Sequence, residues 1–319
     1  MFYSIRHLTK FRYSAPVSES IMEVRKTPRS EGAQGCLSST LTVLPRARIF
    51  SYRDYLGNTV HHFDVPGHHR QLAIVAESLV DVHDVPVLPS SLGASAWKDL
   101  DEAVAVGDFW EMLMPSTFAR SSPQLEDLAF RLGVERRSDP LSLIRELNSA
   151  IYEWFDYAPK TTRVDSPIEE ALSARRGVCQ DFAHVMIALV RRLGVPCRYV
   201  SGYLFHDKST HERSSPAASH AWVEAYLPEL GWLGFDPTND EAAGERHIRT
   251  AIGRDYADVP PTKGTFKGNA SSELTVAVSV ELTSGPPPPD QSQAMPEDWQ
   301  AMAAPEPEAQ QQQMQQQQQ

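Results

Sequence analysis

Cysteine is scarce in this chain of 319 residues, which contains only Cys36, Cys179 and Cys197. The number is odd and no CxxC pair occurs, so the sequence indicates neither a disulfide framework nor a four-cysteine zinc site. A cysteine that acts alone as a thiol is still compatible with this composition.

Positive charge and long apolar runs are also scarce. Thirty Lys and Arg stand against 41 Asp and Glu, which gives a formal net charge of −11. This balance disfavours electrostatic binding to nucleic acid or to an anionic membrane, so we expect neither partner. The N-terminus, MFYSIRHLTKFRYSAPVSES, alternates polar and apolar residues and resembles neither a signal peptide nor a spanning helix. A cytoplasmic location is therefore the default expectation.

The composition divides the chain into three segments. Residues 1–85 show strand-like alternation, clearest in QLAIVAESLVDV, and predict a small antiparallel β domain. Residues 86–284 follow a Pro, Ser and Gly-containing connection and show a helical period in PQLEDLAFRLG and again in DPLSLIRELNSAIYEWFDY. They continue with a mixture of helix and strand and include a late strand, ELTVAVSVEL. Residues 285–319 are rich in Pro and Gln and have too little apolar surface to fold, so we predict a disordered tail.

One cysteine lies at a predicted helix start. In RRGVCQDFAHVMIALVRRLG the apolar residues recur at helical spacing from Phe182 to Leu193, and Gly194-Val195-Pro196 is a stop signal. Cys179 therefore lies at the helix N-terminus, where unpaired N–H groups stabilise a thiolate and can hold an oxyanion. The alternative for a lone cysteine is a small buried apolar residue. We keep that interpretation for Cys197.

A histidine and an aspartate are predicted to be neighbours on adjacent strands. SHAWVEAYLPELGWLGFDPT reads as two strands around Pro228, and a hairpin centred there sets His220 directly opposite Asp236. Any register shifted by an even number keeps both on one face. A carboxylate beside an imidazole fixes its tautomer and stabilises the imidazolium that a thiolate needs. Spacing alone does not bring this pair to Cys179.

Three motifs carry a resemblance to a known family. RRGVCQDFAHVMIALVRRLGVPCRYVSGYL and SHAWVEAYLPELGWLGFDPTND resemble the core of the bacterial transglutaminase-like family, a branch of the papain-like cysteine-enzyme superfamily. IGRDYADVPPTKGTFKG and the first 85 residues resemble companion regions of its two-domain members. The resemblance implies that Cys179 is the nucleophile, His220 the general base and then acid, and Asp236 the orienting carboxylate. It also implies an α+β fold, in which an antiparallel β domain precedes a transglutaminase/papain-like core.

Four further residues are candidates for substrate binding: Trp222, Tyr157, Gln180 and Asp181. Gln180 and Asp181 could instead cap the helix or bond a neighbouring loop, and Trp222 could equally be a core aromatic residue. The Cys179 N–H is expected to be one oxyanion donor, and the sequence does not identify a second.

A metal or other cofactor is not expected. His61, His62, His68 and His69 form two doublets in HHFDVPGHH, but adjacent histidines on a strand point to opposite faces and do not chelate as a set. The chain also has no EF-hand loop.

The expected reaction is acyl transfer through a thioester on a carboxamide or peptide bond of a protein or peptide substrate. An amine acceptor would make the enzyme a transglutaminase, and water would make it a peptidase, amidase or deamidase. An inactive peptide-binding module is a third possibility, which the intact Cys, His and Asp set disfavours.

Overall fold

The computed structural model describes residues 1–83, 85, 87–159, 161–207 and 212–285. Strands β1 to β4 are Phe2–Val24, Gln34–Leu44, Ile49–Arg53 and Thr59–Val82. Helices α1 to α4 follow at Ala96–Val106, Trp110–Leu113, Pro123–Arg131 and Pro140–Trp154. Almost all of the predicted tail, residues 286–319, lies outside the described residues, as does Pro86 at the predicted domain boundary.

The second half of the chain completes the described elements. Strands β5 and β6 are Asp156–Tyr157 and Arg176–Gly177, on either side of helix α5 at Ile168–Ala174. Helix α6 is Cys179–Arg192. Strands β7 to β11 are Cys197–Leu204, His220–Leu227, Gly231–Asp236, Glu241–Ala242 and His247–Gly253. A short 3-10 helix at Tyr256–Asp258 precedes β12 at Thr262–Lys267 and β13 at Ser272–Thr283.

The N-terminal residues form an antiparallel sheet, as predicted. Its strands run in the order β12-β1-β4-β2, with β13 also paired to β1 and β3 to β4. The two long strands, β1 and β4, pair along almost their whole length, and β1 is bulged between Arg12 and Glu19. Bulges bend a strand, so the two halves of β1 can hold different partners on the remaining edge. The first half pairs with β13 and the second with β12.

The last two strands differ from their sequence grouping. The composition placed ELTVAVSVEL with the core of residues 86–284, whereas in the structure this strand, β13, pairs with β1 from Phe2↔Thr283 to Tyr13↔Ser272. The exposed edge of β1 supplies unpaired N–H and C=O groups, which a returning strand satisfies. Alternation of side chains predicts a strand but carries no information about its partner in a distant part of the chain.

Helix α6 forms the centre of the second half. It packs against β7 and β8 of a sheet ordered β10-β9-β8-β7-β11, and every residue from Gln180 to Arg191 is buried. A helix that is covered on all sides is held rigidly, and so is the residue at its N-terminus.

The two sheets share an apolar cluster and are joined by polar contacts. The shared cluster contains Tyr3, Ile5, Val80 and Val82 of the first sheet with Tyr203 and Ile248 of the second. Gln34 of β2 makes hydrogen bonds with both the N–H and the C=O of Arg249 in β11. The first sheet therefore braces the strands that carry the candidate site.

Candidate active site

Cys179 is the first residue of α6, as the apolar spacing predicts. Val178, just before it, is extended, and the Asp181 carboxylate turns back to accept a hydrogen bond from the Val178 N–H at 2.8 Å. The Thr162 hydroxyl donates to the same oxygen at 2.6 Å. A Cβ on Gly177 would lie 2.6 Å from this oxygen, so glycine is required there for the carboxylate to reach the backbone.

Gln180 and Asp181 use their polar groups within the chain. Asp181 caps the helix as described, and burial raises the pKa of its carboxyl. The Gln180 side-chain amide donates to the Arg163 carbonyl at 3.1 Å and ties the helix start to the preceding loop. These contacts match the alternatives of helix capping and loop bonding that the sequence allows for the two residues.

The strands β8 and β9 form the predicted hairpin, but in a different register. Leu227 pairs with Gly231 and Val223 with Phe235, so the turn is centred on Glu229, and the prediction of a directly opposed His220 and Asp236 is wrong by two residues. The observed register leaves residues 228–230 as the loop between the paired strands. Glu229 in this loop and Gly231 at the start of β9 are both in the left-handed region, with φ of 65° and 73°.

His220 and Asp236 nevertheless form a hydrogen bond. An even shift keeps both on one face, and His220 Nε2 lies 2.6 Å from Asp236 Oδ2. Both residues are buried, at 3% and 0% exposure. Burial alone would lower the pKa of His220, but the Asp236 charge outweighs it and raises that pKa, while the imidazolium holds the pKa of Asp236 far below its usual range. The carboxylate therefore favours the imidazolium form of His220.

Cys179 lies close enough to His220 to interact with it electrostatically, and after Asp236 it is the next group that raises the pKa of that imidazole. With Nε2 bonded to Asp236, Nδ1 is the ring nitrogen left for Cys179. It is buried and makes no hydrogen bond within the described part of the chain. The structure thus brings together the three residues that the motifs single out.

The comparisons with known proteins identify the family of this chain. Residues 3–81 match the model of the bacterial transglutaminase-like N-terminal region, and residues 128–237 match that of the transglutaminase-like superfamily. An uncharacterized protein of Mycobacterium leprae is 34% identical over 278 residues, which cover 86% of this chain and 96% of that protein. This chain belongs to the bacterial transglutaminase-like family.

Two further relatives of this transglutaminase-like chain have descriptive names. The crystal structure of a candidate cysteine protease from Cytophaga hutchinsonii has a TM-score of 0.71 and 26% identity, and the match covers 90% of this chain and 93% of that one. A protein-glutamine gamma-glutamyltransferase of Pseudomonas aeruginosa is 29% identical over 158 residues, which cover 46% of this chain and 24% of that protein. The first of these likenesses confirms the expected fold.

The two aromatic candidates differ in their position relative to Cys179. Tyr157 is half-buried, and burial together with the nearby Cys179 raises its pKa to about 12. It therefore borders the transglutaminase-like site. Trp222 is only 1% exposed, and its ring stacks on His220 with centroids 6.0 Å apart. Trp222 also lines a cavity of about 560 Å³ between the two sheets, and its contact with the His220 ring supports that ring.

Sequence reasoning missed three residues around Asp236. The Asn239 side-chain amide donates to Oδ2 at 2.8 Å, and His247 Nε2 lies 3.3 Å from the same oxygen. Glu241 lies beyond His247, with its Oε1 3.7 Å from His247 Nε2. Asn239 follows Asp236 by three residues, a spacing at which a turn could have been suspected. Nothing in the sequence links His247, on β11, to Asp236.

Ligand atoms of His220, Asp236 and His247 lie within 4.8 Å of one another, which is the geometry of a possible metal site. Their mutual hydrogen bonds already account for this convergence. The histidine doublets form no such group in the part of the chain that the structure describes, and His69 instead bonds Ser20 at 2.9 Å. No helix of the described residues is long and apolar enough to cross a bilayer.

Proposed function

We propose that the protein catalyses cysteine-dependent acyl transfer on a carboxamide or peptide bond, with Cys179, His220 and Asp236 as the catalytic residues. The observation that carries the proposal is the buried His220 ring, whose Nε2 is bonded to Asp236 and whose other nitrogen is left for Cys179. An imidazole fixed in this way can exchange a proton with a thiol at a helix N-terminus.

In the proposed reaction the Cys179 thiolate attacks the carbonyl carbon of the substrate. The negative charge moves to the carbonyl oxygen, where the Cys179 N–H at the start of α6 is the expected donor. The His220 imidazolium then protonates the leaving amine, which departs as the C–N bond breaks and a thioester forms. His220, now neutral, removes a proton from the acceptor, and the acceptor attacks the thioester and releases Cys179.

The proposed substrate is a protein or peptide, and the proposed acceptor is a primary amine. The glutamyltransferase name of the Pseudomonas relative supports an amine acceptor. Water is the second candidate acceptor, supported by the likeness to the Cytophaga structure, which is described as a candidate cysteine protease and matches 90% of this chain. Both acceptors use the same thioester, so the difference is decided by what reaches Cys179 after the first amine has left.

The test is to incubate the protein with a peptide library, with and without a fluorescent primary amine, and to identify products by mass spectrometry. Amine incorporation that is lost in Cys179→Ala, with the fold retained, is the expected result. Cys197→Ala is the matched control: Cys197 is fully buried, so its loss should cost stability and leave the chemistry unchanged. Chain cleavage or conversion of amide to acid would select water as the acceptor.

Turnover retained in Cys179→Ala would refute the assignment. Peptide binding without any turnover by the wild-type protein would instead favour an inactive peptide-binding module.

A further inference from the structure

Asp236 receives hydrogen bonds from two histidines that lie on different strands of one sheet. His220 begins β8 and His247 begins β11, and the Nε2 atoms of both approach Asp236 Oδ2, at 2.6 and 3.3 Å. His247 is as deeply buried as its counterpart, with 3% of its side chain exposed. The role proposed above for Asp236 uses only the first of these contacts.

The backbone fixes which nitrogen of His247 carries its proton. The Gly244 N–H donates to Nδ1 at 3.2 Å, so Nδ1 is an acceptor and carries no hydrogen. Burial lowers the pKa of His247, which keeps the ring neutral. A neutral ring with an unprotonated Nδ1 must carry its hydrogen on Nε2, and that hydrogen is directed to Asp236.

We propose that His247 is a positioning residue, whose Nε2–H holds Asp236 Oδ2 in the orientation in which it accepts the hydrogen bond from His220. By keeping His220 Nε2 engaged, it leaves Nδ1 available to Cys179. This inference rests on the proposed function, in which His220 and Asp236 act together with Cys179.

The other donors to Asp236 cannot replace His247 in this role. Thr238 N–H bonds Oδ1 at 3.0 Å and the Asn239 amide bonds Oδ2 at 2.8 Å, but both follow Asp236 in the same turn and move with it. His247 comes from β11, which is separated from β9 by two strands of the sheet. Its bond therefore ties the carboxylate to a part of the molecule that does not move with the turn.

Trp222 packs against both histidines that bond Asp236. Its indole packs edge-on to His247, with centroids 5.1 Å apart and planes at 74°, and it also stacks on His220, whose ring centroid lies 6.0 Å from the indole and 6.2 Å from the His247 ring. The three rings thus pack against one another as a triangle, in which the rigid indole contacts both histidines. A Cβ on Gly202 would lie 2.6 Å from that ring, so the neighbouring strand leaves room for the indole only because it has glycine there.

Two amide variants separate positioning from a purely structural role. In His247→Gln the side-chain nitrogen reaches the place of Nε2, so a donor to Asp236 is kept while the bond from Gly244 is lost. In His247→Asn the shorter chain reaches only the place of Nδ1, so an acceptor for Gly244 is kept while the donor to Asp236 is lost. His69→Gln, which changes a buried histidine of the first sheet, is the matched control for general destabilisation.

The expected result is that His247→Asn lowers kcat by about 10- to 100-fold with little change in KM, whereas His247→Gln stays within about threefold of the wild type. The pH profile of Cys179 alkylation by iodoacetamide should shift in the Asn variant alone, because the thiolate then faces a less well fixed imidazolium. The opposite ranking, with Asn active and Gln impaired, would mean that His247 only anchors the turn at Gly244. Equal activity and equal alkylation of both variants would also overturn the proposal.

The alkylation readout separates this inference from the proposed function. If the wild-type protein neither incorporates amines nor cleaves peptides, the proposed function fails, while the alkylation profiles still decide whether His247 controls the His220 and Cys179 pair. If neither variant folds, nitrogen NMR of histidine-labelled wild-type protein decides instead. A His247 ring protonated on Nδ1 would contradict the proposal, and one protonated on Nε2 alone would support it.

Discussion

Two buried histidines of this protein, His220 beside Cys179 and His7 in the first sheet, have opposite electrostatic environments. They are equally buried, at 3% and 2% exposure. The Asp236 carboxylate raises the pKa of His220 against the effect of burial, whereas burial, helped by the nearby Lys26, lowers the pKa of His7. The protonation state of a buried histidine is therefore set by its charged partner and not by its depth.

The surroundings of His7 form a polar cluster without a carboxylate. His7 Nδ1 lies 3.0 Å from the Tyr203 hydroxyl, its Nε2 lies 3.3 Å from Thr9 Oγ1, and Lys26 Nζ donates to the same Thr9 oxygen. Lys26 is 1% exposed and has no ion pair among the residues that the structure describes, and burial lowers its pKa to about 7. This cluster joins β1 to β7. Unlike the site around Asp236, it has no negative charge among its described residues to balance its buried basic groups.

The largest effect on activity should follow from removing the negative charge of Asp236. Asp236→Asn keeps the shape of the side chain but loses the carboxylate, so the pKa of His220 should fall and kcat should drop by roughly 10²- to 10⁴-fold. Some activity should remain, since an amide oxygen can still accept a hydrogen bond from the imidazole. His7→Gln, measured in the same assay, should leave kcat unchanged. An unchanged rate in Asp236→Asn would place Asp236 outside the catalytic set.

Removing the buried positive charge of Lys26, which has no carboxylate partner among the described residues of the His7 cluster, should stabilise the protein. Because the pKa of Lys26 is lower in the folded protein than in the unfolded chain, the unfolded chain binds more protons between about pH 7 and 10.5, and stability should rise with pH through that window. Lys26→Met removes the buried charge and should add about 2 kcal/mol to the free energy of unfolding at pH 6, with less gain at pH 10. Urea unfolding at the two pH values measures this, and a loss of stability at pH 6 would contradict it.

The contribution of Glu241 to the pH dependence of stability should have the opposite sign to that of Lys26 and should be smaller. Burial and then repulsion by Asp236 raise its pKa to about 7, against the attraction of His220. The folded protein therefore binds more protons than the unfolded chain from about pH 4.5 to 7, and this group makes stability fall as pH rises through that window. Its side chain is 28% exposed, and Arg246 bonds the other carboxylate oxygen at 2.6 Å.

Glu241→Gln should consequently remove this slope and stabilise the protein by about 1 kcal/mol at pH 8, after allowance for screening by solvent. His220, Asp236, Arg246 and His247 are charged or titratable neighbours of this carboxylate, so the difference in slope between variant and wild type is the quantity to measure. An identical slope for the two proteins from pH 5 to 8 would show that Glu241 titrates normally.

The sequence predicts the parts of this site that depend on local pattern. Helical period and a stop signal place Cys179 at the start of α6, and strand alternation puts His220 and Asp236 on one face. The register was wrong because it depends on backbone conformation at Glu229 and Gly231, which a period of two does not encode. The contact of His247 with Asp236 was not predicted, because it crosses two intervening strands. Contacts between non-adjacent strands leave no spacing signal in the sequence.

The smallest effect tests whether the polar cluster of the first sheet is only structural. Tyr203→Phe removes the hydroxyl that bonds His7 Nδ1 and leaves a buried ring nitrogen without its partner, so the free energy of unfolding should fall by about 1 kcal/mol. Tyr203 lies on β7 next to Gly202, and Gly202 pairs with His220, so the change is close to the site along the sheet. The rate of Cys179 alkylation should nevertheless stay the same, because the Asp236 charge and not the His7 cluster sets the state of His220. A change in that rate would show that the two buried histidines are coupled through β7, and that the charge beside each one does not act alone.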